Sequence, residues 1–206
     1  MRPQHVNIHF YENLDTKKSF VHLSGNYKNV AASDPEPLIE PLASYVDIEN
    51  TKAIASYAPE YKFRYWAESI SSEWKEPSIA IKARTKNIDS MAVTLKSNRN
   101  ASRIILLLPE TSKLKSFNIG SQTINVSPST SGPFKGYYSI YLNGVYDKQI
   151  DLILNFENYT KETKGYLMDI STKLPGHLDE IYQARSGIFS PVHRGDQAIL
   201  IKTVTI

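Results

Sequence analysis

The sequence predicts an all-β fold: an antiparallel β-sandwich of about ten to twelve strands, with an N-terminal hairpin and at most one short helix. Three observations predict it. β-Branched and aromatic residues number 64 of 206, against 13 Ala, a balance that favours strands over helices. Apolar residues alternate with polar ones at period two in several stretches. Turn signals separate those stretches roughly every 8 to 12 residues, the spacing of sandwiches and barrels.

The elements follow in order. His5-Val-Asn-Ile-His-Phe-Tyr11 alternates, with Val6, Ile8 and Phe10 on one face. Phe20-Val-His-Leu23 follows the turn-like Asn13-Leu-Asp-Thr16, and the two read as a hairpin within residues 1–33. Residues 34–60 hold a Pro-rich connector, Asp34-Pro-Glu-Pro with Glu40-Pro41, and a candidate short helix over 47–56 that Pro59 would end. The sandwich core is expected over 61–206, packed with the hairpin as one domain, because a lone hairpin is not stable. Its strands are 61–67, 78–83, 90–97, 103–108, 114–119, 122–126, 137–142, 149–156, 165–170 and 197–206. The apolar run Arg103-Ile-Ile-Leu-Leu-Leu108 reads as buried on both faces. Gly120-Ser121 reads as a tight hairpin turn. The stretch from Leu174-Pro-Gly176 to Ser190-Pro191 reads as a loop.

Composition narrows the function. Zero Cys excludes disulfides, zinc–thiolate sites, iron–sulfur clusters and a cysteine nucleophile. A net charge of +3 with scattered basic residues argues against nucleic acid. The longest apolar run is five residues, Ile104–Leu108, where a membrane helix needs about 20. Met1–His5 has no apolar h-region. The abrupt entry into a strand pattern favours a piece whose targeting segments lie upstream over a cytoplasmic protein.

Several residues have chemical potential. His5 and His9 share a strand face but lie roughly 13 Å apart, too far for one ion. His9 and His22 can pair across the hairpin, and His177 and His193 complete the five histidines. Ordinary strand and surface histidines are the expectation, with no metal. Ser190, His193 and Asp196 are close in sequence, but a triad is assembled from distant segments, so a polar loop is expected. Asp34, Glu36 and Glu40 read as solvated. Tyr61, Phe63 and Tyr65 alternate with Lys62, Arg64 and Trp66, a pattern that core-plus-surface explains without a ligand. The sharper reading is a sugar-stacking platform, drawing on Trp66, Trp74, Tyr137 and Tyr141. The sequons at Asn100, Asn125 and Asn158 have meaning only in a eukaryotic secretory protein. Phosphate-loop and G-x-S-x-G motifs are absent from the sequence.

The tail Ala184-Arg-Ser-Gly-Ile-Phe-Ser-Pro-Val-His-Arg-Gly-Asp-Gln-Ala-Ile-Leu-Ile-Lys-Thr-Val-Thr-Ile206 carries a family likeness. It resembles the C-terminal end of membrane-anchored, zinc-dependent aminopeptidase-like proteins related to the endoplasmic reticulum metallopeptidase. Arg185, Pro191 and Asp196 stand where that family has an Arg-Pro, Pro and Asp loop before its final strand, with Ser186 in place of the expected Pro. Val6–Thr16 resembles the strand after the family's last membrane helix. Trp66 through Pro77–Ile81 resembles its linker into the sandwich. Phe117–Ile124 resembles one of its hairpins, and Leu174-Pro-Gly176 one of its loops, with Lys173 where Gly is expected.

What the resemblance implies is a non-catalytic accessory domain outside the cytoplasm. The family's zinc ligands belong to an earlier domain, and no residue here matches them, so no catalytic, cofactor or metal residue is carried over. The implied partners are the parent protein's peptidase domain and membrane helices, with neither nucleic acid nor direct membrane insertion. A carbohydrate-binding sandwich module is the rival reading. A hydrolase would need two carboxylates, or a Ser and a His, converging in one pocket.

Overall fold

The computed structural model describes residues 6–25, 65–85, 89–132, 134–157, 162–186 and 195–206. The side chains of residues 6, 24–25, 65–67, 83–85 and 186 are not among those described. The fold is an all-β sandwich with twelve strands in two sheets and one short helix among these residues. The chain divides into two compact units. One comprises Met1–Ser72 and Ser171–Ile199, the other Glu73–Ile170 and Leu200–Ile206.

In the first unit, β1 (Val6–Asn13) and β2 (Lys18–Gly25) pair antiparallel, Val6 opposite Gly25 through Asn13 opposite Lys18. This is the expected hairpin. Asn13 makes its turn: its Oδ1 accepts from the backbone N–H groups of Asp15 and Thr16 at 3.0 and 3.1 Å. β3 (Tyr65–Ser69) extends the hairpin beside β2, with Trp66 in register with His22. Gln197–Ile199, the start of β12 (Gln197–Thr205), belongs to this unit and follows β1 in strand order.

The same unit holds the helix, α1 (Asp179–Ser186), which follows a 3-10 turn at Gly176–Leu178. The sequence pattern predicts a loop here. Asp179 and Glu180 in the first turn and Arg185 in the last complement the helix dipole. Leu178 and Ile181 anchor it by burial. The helix expected over 47–56 and the Pro-rich connector lie outside the described residues.

In the second unit, one sheet runs β4-β5-β10-β7-β8. These are Ser78–Thr85, Ser90–Lys96, Gln149–Phe156, Leu114–Ile119 and Gln122–Asn125. The other runs from the end of β12 through β11 (Lys164–Ser171) and β6 (Arg103–Pro109) to β9 (Tyr137–Asn143). Alternation decides what fills the space between them. Val93 and Leu95 of β5 and Leu152 and Leu154 of β10 meet Ile104, Leu106 and Leu108 of β6 and Ile140 of β9 in one buried cluster. Each such side chain contributes about 1.5–3 kcal/mol on burial, so this cluster dominates the cohesion of the unit.

β6 is buried on both faces, as its apolar run predicts, because Ile105 and Leu107 are buried as well as the core-facing residues. A strand apolar on both faces does not fix its own register by hydrophobic pattern. Gly165 supplies part of that constraint: a Cβ there would lie 2.4 Å from the Leu107 carbonyl oxygen. β11 can therefore lie against β6, Tyr166 opposite Leu107, only with a glycine at this point.

Candidate functional site

Strand register places His9 directly opposite His22. Their rings stand 5.6 Å apart, edge to face at 63°. Both are buried, and His22 has no exposed surface. This is the cross-strand pair the sequence offered. His9 Nδ1 shares a 3.4 Å hydrogen bond with the Tyr11 hydroxyl, two residues along the same face. Burial pushes His9 down to about 4, although Asp196 and the Gly195 backbone pull the other way. Burial, and then the neighbouring His9, push His22 down to about 3. The pair is therefore neutral at neutral pH. It presents imidazoles that accept a proton only well below the usual histidine range.

Beside it lies a buried ion pair. Arg185 of α1 donates from Nη1 to Asp196 Oδ1, with the arginine side chain only 2% exposed. The same oxygen accepts the backbone N–H of Ile8 at 2.9 Å. One carboxylate thus joins α1, β1 and the residue just before β12. Asp196, which the sequence places in a polar loop entering the last strand, is buried there, its oxygen holding an arginine and a backbone amide away from water. Ser190 and His193 lie outside the described residues, as do His5, Asp34, Glu36 and Glu40.

Glu12 and His177 add two more polar side chains to this unit. Glu12 is buried and accepts from both the backbone N–H (3.0 Å) and the hydroxyl of Ser72. His177 Nε2 shares a 2.9 Å hydrogen bond with Ser69 Oγ, and its ring packs edge-on against Phe10. Burial lowers its pKa, against the pull of Glu12.

The second unit carries a separate polar centre. Asp169, on the core-facing side of β11, is fully buried. Arg99 Nε donates to its Oδ1 at 2.7 Å and Ser97 Oγ to its Oδ2 at 2.8 Å. Arg99 Nη2 also reaches the Asp169 carbonyl at 3.1 Å. Ser97 Oγ in turn accepts the Ala101 N–H at 2.9 Å. The β5–β6 connection is thereby tied down to β11. Burial raises the Asp169 carboxyl and the Arg99 charge opposes that rise. Sequence reasoning missed this centre, yet its signal was present: an Asp inside the apolar Tyr166-Leu-Met-Asp-Ile170 needs a buried partner.

The aromatic residues named for sugar stacking divide. The Trp74 ring carries the Arg99 guanidinium 4.6 Å from its centroid. Tyr137 leans on Tyr166 at 6.0 Å. Tyr141, by contrast, is 52% exposed on β9. Trp66 lies on β3, and Tyr61, Lys62, Phe63 and Arg64 lie outside the described residues. Among the described residues, no three His, Asp or Glu side chains come together as a metal-binding group.

Neither a protein-family model nor a curated protein matches the chain. Among solved structures, the Fcho1 Mu homology domain of Danio rerio, with bound Eps15 peptide, aligns with 97% of this chain and 92% of its own at 8% identity. Its TM-score is 0.31, and at that score the likeness carries no argument about fold or function.

Proposed function

We propose that this chain is a non-catalytic, extracytoplasmic accessory domain of a membrane-anchored zinc aminopeptidase-like protein, acting in packing, substrate guidance or partner binding. The observation that carries the reading is the Arg185–Asp196 pair with its bond to Ile8 N–H. Arg185 and Asp196 are the tail residues of the family resemblance, and Ile8 lies in the opening strand it also includes. In the fold, these separate pieces of the resemblance bind one another. The use of Asp169 and Asp196 as structural ties agrees with a domain that does no chemistry. The reading frame upstream of Met1 tests the proposal. A frame that continues into a peptidase domain and membrane helices is expected, and a promoter directly upstream would overturn it. The isolated chain should leave aminoacyl-nitroanilides intact with zinc added, and hydrolysis would refute the non-catalytic part.

The alternative, a carbohydrate-binding module, is favoured by one feature: the exposed ring of Tyr141 on an outward strand face. A glycan screen decides it, since binding lost in Tyr141→Ala would move the assignment to this class.

A further inference from the structure

We infer that β9 is a self-association edge, on which a second copy of this chain adds its own β9 antiparallel. The inference stands on the edge strand alone and holds under either functional reading.

Among the described residues, four strands end the two sheets: β3, β9, β4 and β8. Exposed edges invite pairing, and proteins blunt them with charge, short length or bulges. β3 is five residues long and carries the exposed Glu68. β4 carries Lys82 and a register irregularity between Ile81 and Ala83. β8 is four residues long. β9, Tyr137-Tyr-Ser-Ile-Tyr-Leu-Asn143, has seven residues with no charge, Pro or Gly.

Backbone hydrogen bonds show which groups face outward. Glu110 N–H donates to the Gly136 carbonyl (2.8 Å) and Gly144 N–H to the Ser102 carbonyl (2.7 Å), both toward the β6 side. Even-numbered residues of β9 therefore point at β6, and odd-numbered ones at the open edge. Tyr137 agrees: its carbonyl accepts from Ser129 N–H at 2.9 Å, on the far side from β6. The loop thus covers the first position, and among the described residues Ser139, Tyr141 and Asn143 are left to offer backbone groups.

Charge and symmetry select the occupant. An uncharged strand meets no like-charge repulsion from a copy of itself. A two-fold axis at Ile140 sets Ser139 opposite Tyr141 of the second copy and Tyr141 opposite its Ser139, and both residues are of the outward-bonding parity. That register closes four backbone hydrogen bonds and is self-complementary, as an isologous dimer requires. A ladder this short buries less than the ~1,200 Å² of a stable interface, so the dimer forms only at high concentration.

The test is sedimentation equilibrium of the full chain up to about 1 mM, with hydrogen exchange at low and high concentration. The expected result is an apparent mass rising toward twice the monomer, with Ser139 and Tyr141 amide exchange slowing at least tenfold. Tyr141→Lys places two lysines diagonally across the two-fold and should stay monomeric. Ile124→Lys, an exposed site on β8, should behave as the parent. A monomer at every concentration with unchanged amide exchange overturns the inference, whether the edge is open or covered by the chain itself. So does a dimer undiminished in Tyr141→Lys. The exchange comparison needs no variant, so it decides the matter even if Tyr141→Lys fails to fold.

Discussion

Acid should loosen the hairpin that holds His9 and His22, by an amount that follows from their burial. Their pKa values fall from 6.5 to about 4 and about 3 in the folded chain. Depressed histidine values mean that the folded state favours the neutral ring. The stabilisation is therefore complete above pH 6.5 and is lost as pH falls toward 4 and then 3. Each pH unit in that window costs about 1.4 kcal/mol per histidine. At pH 5, 1.5 units below the unfolded value, the two together remove about 4 kcal/mol, a large share of a typical stability. Urea unfolding between pH 7 and 4.5 should show a slope near pH 5 of about 2.7 kcal/mol per unit from this pair. In His22→Phe, which keeps a ring but cannot titrate, the pair's share should halve. Imidazole NMR resonances locate the protons directly. The reasoning fails if His22 titrates near 6.5 in the folded chain, or if His22→Phe leaves the slope unchanged.

Other perturbations separate structure from surface. Asp169→Asn removes the carboxylate charge opposite Arg99, whose side chain is 4% exposed, and should lower stability by about 3–5 kcal/mol in thermal or urea melts. Replacing both partners by apolar residues should recover much of that loss. Gly165→Ala drives a methyl into the Leu107 carbonyl and should cost about 1–3 kcal/mol or more, because backbone must move. Lys82→Ala removes an exposed ion pair with Asp151, 2.8 Å long, and should leave the melting temperature unchanged within error.

The strands were legible because period-two alternation survives wherever one face meets the core and the other meets water. β10 shows the burial alternation: Leu152, Leu154 and Phe156 are buried, while Asp151 and Ile153 are exposed and Asn155 is half-buried. β6 was legible for the opposite reason, since a short apolar run without alternation, ended by Pro109, is consistent with a strand covered on both faces. The helix α1 was not legible. Over Asp179–Arg185 only Ile181 and Arg185 are buried. Its apolar periodicity is therefore too thin to read, and only its dipole-matched ends mark it. The His9–His22 pair was legible because a hairpin turn sets cross-strand register. The Arg185–Asp196 pair was half legible. The tail likeness named both residues, but contact depends on α1 folding back, which spacing does not encode. The Arg99–Asp169 centre depends on register between β6 and β11 and on the path of the 97–101 loop, and both arise only in the folded chain.

Asp169 and Asp196 are used in the same way: each ties an arginine and a hydrogen-bond donor from a distant segment. Asp196 reaches back 188 positions to Ile8, and Arg99 and Asp169 are 70 apart. Such ties are seldom worth more than an apolar replacement of equal volume, but breaking one side alone is costly. They specify which segments meet more than they add net stability. This divides the experiments cleanly. Variants of Asp169, Asp196 or Arg185 report on folding, whatever the protein does. Variants of Tyr141, exposed at a sheet edge that carries no charge, leave the core intact and report on recognition. A change in binding or association that tracks Tyr141 without a change in melting temperature is therefore evidence about function. The same change in an aspartate variant is not.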